Sequence, residues 1–316
     1  MNIVIINYDF SKQKSYYEDL AKLGTIKICL NIKTNTEFLE AVKDADIVLI
    51  SVFKLTAEII TKLSESVKLI AILATGYDNV DLNATSRRNI KVCNVPSYGA
   101  NSVAQLAMMH ILNCATQFTN HIDNFNKNGW VSGNLVHQHK MHELAGKTLG
   151  IVGFGAIGRA LAQFGSGFAM RVLVFNRTPI TLNTIEYTSS LLDIARQSDF
   201  ISLHLALNVQ TKDIISRDFF ANMKQSAFLI NTARGELVDE EALITALQSK
   251  QIAGAGLDVL SLEPPIPENP ILHMNNVCIT PHIAWATIEA EQRCLAITIQ
   301  NLQCFINGVP QNIVST

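Results

Sequence analysis

Short runs of Ile, Val and Leu recur in the first ninety-odd residues, at 3–7, 26–30, 47–51 and 69–73, with helically spaced segments between them at 15–23, 36–42 and 56–63. The runs carry no regular polar alternation. Strands of that kind are buried on both faces, as in a parallel sheet covered by helices on each side. Val95-Pro96-Ser97-Tyr98-Gly99 punctuates this rhythm, and residues 100–115 read as a long apolar helix. A second alternation begins at Gly146, with strands predicted at 148–152, 171–175, 200–203, 227–230, 253–257 and 277–280 and helical patterns such as 240–247 between them. After Pro281 the sequence closes on a helix-compatible stretch, 287–305. A helix of that length has no place beyond a sixth strand, so it is expected to return to the first domain. The predicted organisation is an α/β fold of two doubly wound parallel-sheet domains, residues 1–97 with 285–316 forming one and 98–284 inserted as the other.

The first strand of the second alternation runs into Gly153-Phe154-Gly155-Ala156-Ile157-Gly158, and a helical pattern follows at once. Strand, glycine turn and helix in that order make the dinucleotide-binding turn of a Rossmann domain. Gly153 is expected to allow the tight turn, Gly155 to let the backbone approach a pyrophosphate, and Gly158 to let the helix lie close on the sheet. The helix start at Ala156 and Ile157 would offer N–H groups and the positive end of the helix dipole to the phosphates.

Composition narrows the classes of function. The chain has 316 residues, 48 % of them hydrophobic, enough for two buried cores. A formal charge of −2 with 16 % charged residues and no basic block provides no electrostatic footprint for nucleic acid or an anionic membrane. The apolar run after Met1 lacks a positive flank and reads as a first strand, not a signal peptide. Six scattered cysteines without a C-x-x-C pair suit a reducing cytoplasm.

Three charged residues follow predicted strands of the second domain: Arg234 after residues 229–233, Glu263 after 258–262 and His282 after 279–281. Ligands of open α/β sheets bind beyond the carboxyl ends of the strands, so these groups can converge on one small anion. Carbonyl reduction by a nicotinamide needs a cation to anchor and polarise the substrate, and a proton donor for its oxygen. Arg234 suits the first task, because a guanidinium stays charged and forks onto two oxygens. His282 suits the second, and a carboxylate at Glu263 would favour its imidazolium and fix the ring. Singly, each has a plainer reading: a surface arginine, a turn histidine, a solvated loop acid. Together, in this order after a dinucleotide turn, they form a coherent set.

The chain resembles the D-isomer-specific 2-hydroxyacid dehydrogenase family over nearly its whole length. The resemblance is carried by Ala74-Thr75-Gly76-Tyr77-Asp78-Asn79-Val80-Asp81, the glycine turn, Asn231-Thr232-Ala233-Arg234-Gly235, Asp258 with Glu263, and Thr280-Pro281-His282. Within the family it is most similar to glycerate dehydrogenases (hydroxypyruvate reductases), through residues 258–265, 268–270 and 282–287. The resemblance implies a flavodoxin-like substrate domain that receives the Rossmann domain, an active site in the cleft between them, and a homodimer, which the apolar helix at 100–115 also suggests. Arg234, Glu263 and His282 would be the catalytic arginine, glutamate and histidine. Thr75, Gly76, Tyr77 and Trp285 would join Arg234 at the substrate, with Gly76 and Tyr77 amides on its carboxylate. His204, Thr232, Ala233, Asp258 and Ala284 would border the cofactor. Hydroxypyruvate or glyoxylate, giving D-glycerate or glycolate, would be the substrate. Ser261 and Leu262 replace acidic residues common in the wider family, and Gln105 stands where many members carry glutamate.

In an NAD-binding Rossmann domain a carboxylate about 20 residues beyond the glycine turn holds the ribose hydroxyls. Here the second strand ends in Asn176-Arg177-Thr178. Arg177 can pair with a 2′-phosphate while Asn176 and Thr178 donate to it, so NADP(H) is expected over NAD(H).

His137, His139 and His142 lie close in sequence but lack a carboxylate or cysteine at metal-ligand spacing, so no metal site is assigned. Two other functions stay open: reduction of a different 2-keto acid, and a dinucleotide-sensing binding protein on the same scaffold.

Overall fold

The structure is a computed structural model, and residues 1–130, 140–180 and 185–315 are described. The chain divides into two compact units, Met1–Gly99 with Thr287–Thr316, and Ala100–Ala286. Each is an α/β layer structure around one parallel sheet, as the two series of hydrophobic runs predict.

In the first unit β1 (Asn2–Ile6), α1 (Lys14–Ala21), β2 (Thr25–Cys29), α2 (Asn35–Ala41), β3 (Ile47–Ile50), α3 (Ala57–Thr61), β4 (Leu69–Ile72), α4 (Leu82–Arg87) and β5 (Lys91–Cys93) alternate. The strands lie in the order β2-β1-β3-β4-β5, all parallel. Burial on both faces explains their composition. Val4, Ile6, Val48, Ile50, Ile70 and Ile72 join Phe38 and Ile60 in one core. Their alternating neighbours Ile3, Ile5, Ile47, Leu49, Leu69 and Ala71 meet Ala290, Leu295 and Leu302 of the C-terminal helix, Ile288–Ile306, in the other. The sequence reading lacked β5 and α4. Three residues are too short to show a period, and β5 is completed by the chain's tail, where Cys93 bridges to Ile313 and the Val314 N–H donates to the Val92 carbonyl.

The second unit opens with α5 (Ala100–Thr116) and α6 (Phe118–Asn128). Its sheet then forms from β6 (Thr148–Val152), β7 (Arg171–Phe175), β8 (Glu186–Thr188), β9 (Phe200–Leu203), β10 (Phe228–Asn231), β11 (Gly254–Leu257) and β12 (Val277–Ile279). The helices α7 (Ala156–Gly167), α8 (Leu191–Gln197), α9 (Arg217–Asn222) and α10 (Glu240–Gln248) intervene. The order β12-β11-β10-β9-β6-β7-β8 reverses direction between β6 and β9, the switch point at which doubly wound sheets bind nucleotides. Seven strands stand where six were expected, because β8 is a polar Glu-Tyr-Thr edge strand with no hydrophobic run to announce it.

The sequence also led us to expect exposed apolar surface on α5. Instead Ala104, Ala107, Met108, Ile111, Cys114 and Ala115 are buried in the core that α5 shares with α7 and the sheet. The exposed apolar stripe lies on α6, where Phe118, Ile122 and Phe125 are 61, 41 and 51 % exposed.

Candidate active site

The glycine turn leaves β6 at the switch point. Gly153 adopts φ +98°, and a Cβ there would stand 2.6 Å from the His204 carbonyl oxygen. A side chain at Gly158 would collide with the Gly153 carbonyl, so α7 can lie this close to the turn only with glycine. At Gly155 a Cβ would meet nothing, and α7 begins there without a side-chain cap. Open space against the uncapped N-terminus of a 12-residue helix is the arrangement a pyrophosphate requires.

Two buried polar atoms on the same sheet edge have no partner among the described residues: His204 Nδ1 and Thr232 Oγ1. Leu203 pairs with Asn231 in register, so His204 and Thr232 leave adjacent strands side by side. Burial pushes His204 down to about 3, and its Nε2 lies 2.9 Å from Ser202 Oγ, so its ring is neutral. Unpaired buried groups are costly, and a bound polar ligand would satisfy these. The turn, the uncapped helix and the orphaned atoms all fit a dinucleotide.

At the end of β7, Asn176 Oδ1 accepts from the Phe154 N–H at 3.2 Å and its Nδ2 donates to the Thr178 carbonyl at 2.9 Å. These bonds engage one of the two Nδ2 hydrogens, and the other can serve the donor role expected of Asn176. Arg177 and Thr178 beside it are exposed, and Arg177 forms no ion pair among the described residues.

Arg234, Glu263 and His282 follow β10, β11 and β12, three neighbouring strands, and so stand at one carboxyl edge. Local devices set each in place. Buried Asn231 accepts from the Ala233 N–H and donates to the Arg234 carbonyl, closing the loop on itself. A Cβ at Gly235 would overlap the Leu260 and Ser261 backbone, so the arginine loop packs directly against the one that carries Glu263. Glu240, at the start of α10, accepts from the Ser261 N–H and from Asn269 Nδ2, tying that second loop down. Sequence reading missed Asn231 and Glu240. Their signal is an Asn at a strand end and an acid after the N-cap Asp239, neither distinctive on its own.

His282 Nδ1 lies 2.6 Å from Glu263 Oε2, and Glu263 Oε1 accepts from the Leu260 N–H at 3.1 Å. With Nδ1 committed to the carboxylate, Nε2 is the nitrogen left to exchange a proton. The hydrogen bond with Glu263 raises His282 above the usual histidine range; burial and Arg234 oppose it, and the charges of Glu263 and Asp258 add to it. For Glu263 burial acts upward, but the bond and charge of His282, the Leu260 N–H and Arg234 outweigh it and hold the carboxyl below its usual range. The side chains are 39 and 36 % exposed, so solvent screens the pair. It sets a protonation state more than it stabilises the fold.

His282 itself is held at φ +54°. Its N–H donates to the Asp258 carbonyl, and the buried Asp258 carboxylate accepts from the Ile283 and Ala284 N–H groups at 2.9 and 2.8 Å. The carboxylate of Asp258, the residue expected beside the cofactor, shapes the histidine turn through these bonds. Trp285 is 38 % exposed and donates Nε1 to the His282 carbonyl at 3.1 Å.

In the first unit the loop after β4 carries Thr75, Gly76 and Tyr77. Thr75 Oγ1 donates to the Val95 carbonyl, and Asn79 Nδ2 donates to the carbonyls of Ser51 and Phe53, which fixes the loop at the sheet's carboxyl edge. The Gly76 and Tyr77 N–H groups belong to no helix or strand. His137 and His139 lie outside the described residues, and among those described no group of three His, Cys, Asp or Glu could hold a metal. No helix among them is long and apolar enough to cross a membrane.

A doubly wound sheet with an uncapped glycine turn and an Arg, Glu and His at one edge defines a nicotinamide-dinucleotide oxidoreductase. The family model described as D-isomer specific 2-hydroxyacid dehydrogenase, NAD binding domain, matches residues 108–284. A hydroxypyruvate reductase of Blautia hydrogenotrophica is 35 % identical over 283 residues, 88 % of each chain. A glycerate dehydrogenase of Methylorubrum extorquens is 35 % identical over 289 residues, 89 % of each. Among solved structures, an acyclic imino acid reductase in complex with NADPH and D-Arg superposes with a TM-score of 0.92 at 28 % identity, covering 99 % of this chain and 100 % of that one. The chain belongs to the D-isomer specific 2-hydroxyacid dehydrogenase family.

Proposed function

We propose that the protein reduces a small 2-keto acid, hydroxypyruvate to D-glycerate or glyoxylate to glycolate. The carrying observation is the His282–Glu263 pair at 2.6 Å on the same sheet edge as Arg234 and the glycine turn. The names of the hydroxypyruvate reductase and glycerate dehydrogenase relatives support the substrate class.

The nicotinamide, when bound, supplies the hydride. Arg234 holds the substrate's carboxylate and polarises its keto oxygen, with the Gly76 and Tyr77 amides as further donors to the carboxylate. His282 Nε2 gives the keto oxygen its proton, and Glu263 keeps the imidazolium charged and oriented until it does. Thr75 and Trp285 frame the substrate. Gly153, Gly155, Ala156, Ile157 and Gly158 receive the pyrophosphate, and His204, Thr232, Ala233 and Ala284 border the rest of the dinucleotide. Arg177 and Thr178 favour NADP(H), because an exposed guanidinium stands where a ribose-binding carboxylate would repel a 2′-phosphate.

The exposed Phe118, Ile122 and Phe125 stripe supports a homodimer built on α6, which light scattering checks as twice the chain mass. The function itself is tested by coenzyme oxidation with hydroxypyruvate, glyoxylate, pyruvate and phenylpyruvate, each with NADPH and NADH. Turnover of hydroxypyruvate and glyoxylate with NADPH is expected. Coenzyme binding with no turnover of any acid would instead favour a sensing role.

A further inference from the structure

Behind the histidine turn lies a second histidine that the proposed chemistry does not use. His110, on α5, is fully buried, and its Nε2 lies 3.1 Å from Thr280 Oγ1. The threonine hydroxyl in turn donates to Asp258 Oδ1 at 2.6 Å. Both carboxylate oxygens also accept backbone N–H groups, from Ile283 at Oδ1 and Ala284 at Oδ2, so Asp258 acts as acceptor throughout. Thr280 has one proton and spends it on Asp258. Its oxygen can therefore only accept from His110, which fixes the proton of the neutral ring on Nε2.

The surroundings agree with this assignment. Among the described residues His110 Nδ1 is buried without a partner, which an unprotonated nitrogen tolerates better than an N–H donor would. Burial alone pushes His110 down to about 4, so the ring is neutral throughout the working range. Gly256 makes room for it, since a Cβ on β11 would stand 2.6 Å from His110 Cβ. Two turns earlier on the same helix, Ser102 Oγ donates to the Ala284 carbonyl at 2.5 Å, a second attachment of α5 to this turn.

We propose that His110 is a positioning residue for His282: by donating to Thr280 it directs the threonine hydroxyl onto Asp258, and the carboxylate so held fixes the left-handed turn and the charge beside the imidazole. The inference rests on the proposed reductase reading. The charged groups that face His282 are Glu263, Asp258 and Arg234, and His110 acts on Asp258 alone.

The test uses the full-length protein with His110→Leu, which removes the donor, and His110→Gln, whose amide can replace Nε2–H. For the leucine variant we expect kcat to fall roughly three- to tenfold with KM for the keto acid nearly unchanged, from loss of one buried hydrogen bond. The alkaline limb of its kcat profile should move to lower pH, and His110→Gln should restore both. Nitrogen-15 histidine spectra of the wild type should show a neutral Nε2–H ring at position 110 between about pH 5 and 8, on the acid side of which a buried neutral histidine would begin to charge. A proton on Nδ1, or a folded His110→Leu protein with an unmoved limb and unchanged kcat, overturns the role of His110. A wild type that reduces no 2-keto acid overturns the reductase reading first, and the two failures are told apart by the wild-type assay.

Discussion

The two sheets share a parallel, doubly wound plan, yet their carboxyl edges carry different chemistry. At the edge of the first unit the loop after β4 is tied down by neutral hydrogen bonds: Thr75 to Val95, Asn79 to Ser51 and Phe53, and Asn94 to the Thr75 carbonyl. The edge of the second unit holds Arg234, a His–Glu pair with displaced protonation, and two buried polar atoms without partners among the described residues. Fold alone therefore does not locate the chemistry; the side chains at the strand ends do.

Substitutions can break or sharpen that contrast. The largest effect is expected at the second edge, where His282→Gln removes the proton donor and should lower kcat/KM for keto acid reduction by about 10²- to 10⁴-fold, measured as initial rates of coenzyme oxidation. Coenzyme affinity should hardly move, because the glycine turn is untouched. An intermediate effect is expected for Arg177→Ala. Losing an exposed charge-assisted contact should raise KM for NADPH about tenfold and leave KM for NADH unchanged, so equal effects on both coenzymes would remove Arg177 from selectivity. The smallest is expected at the first edge. Thr75→Val deletes a hydroxyl that bonds the protein's own Val95 carbonyl, and kcat/KM should change by less than about threefold. A loss as large as that of His282→Gln would mean that the first edge contributes its side chains and not only its backbone.

Much of this was legible in the sequence, for identifiable reasons. Strands buried on both faces write themselves as short runs dominated by apolar residues, so β1, β3, β4, β6 and β9 could be read directly. Gly153 and Gly158 are demanded by backbone geometry, which leaves a mark no other residue can supply. The edge strand β8 and the short β5 escaped, because an edge strand is polar on one side and three residues carry no period. Among site residues, Arg234, Glu263 and His282 stood out by charge at strand ends. What stayed hidden were groups whose role lies in hydrogen bonds that leave no pattern in the sequence: Asn231 closing its own turn, Glu240 on the Ser261 loop, and His110, which meets Thr280 across 170 residues. The structural work of Asp258 was hidden for the same reason, since its carboxylate accepts from N–H groups 25 and 26 residues away.

The central claim is that Glu263 holds His282 in its protonated, donating form. Reduction needs the imidazolium, and the hydrogen bond with Glu263 raises the histidine's pKa, so the rate should persist above the ordinary histidine range and fall as pH rises through that raised value. The direct test is kcat for hydroxypyruvate reduction against pH in the wild type and in Glu263→Gln. The account predicts an alkaline limb that moves to lower pH in the variant; a limb that stays in place would contradict it.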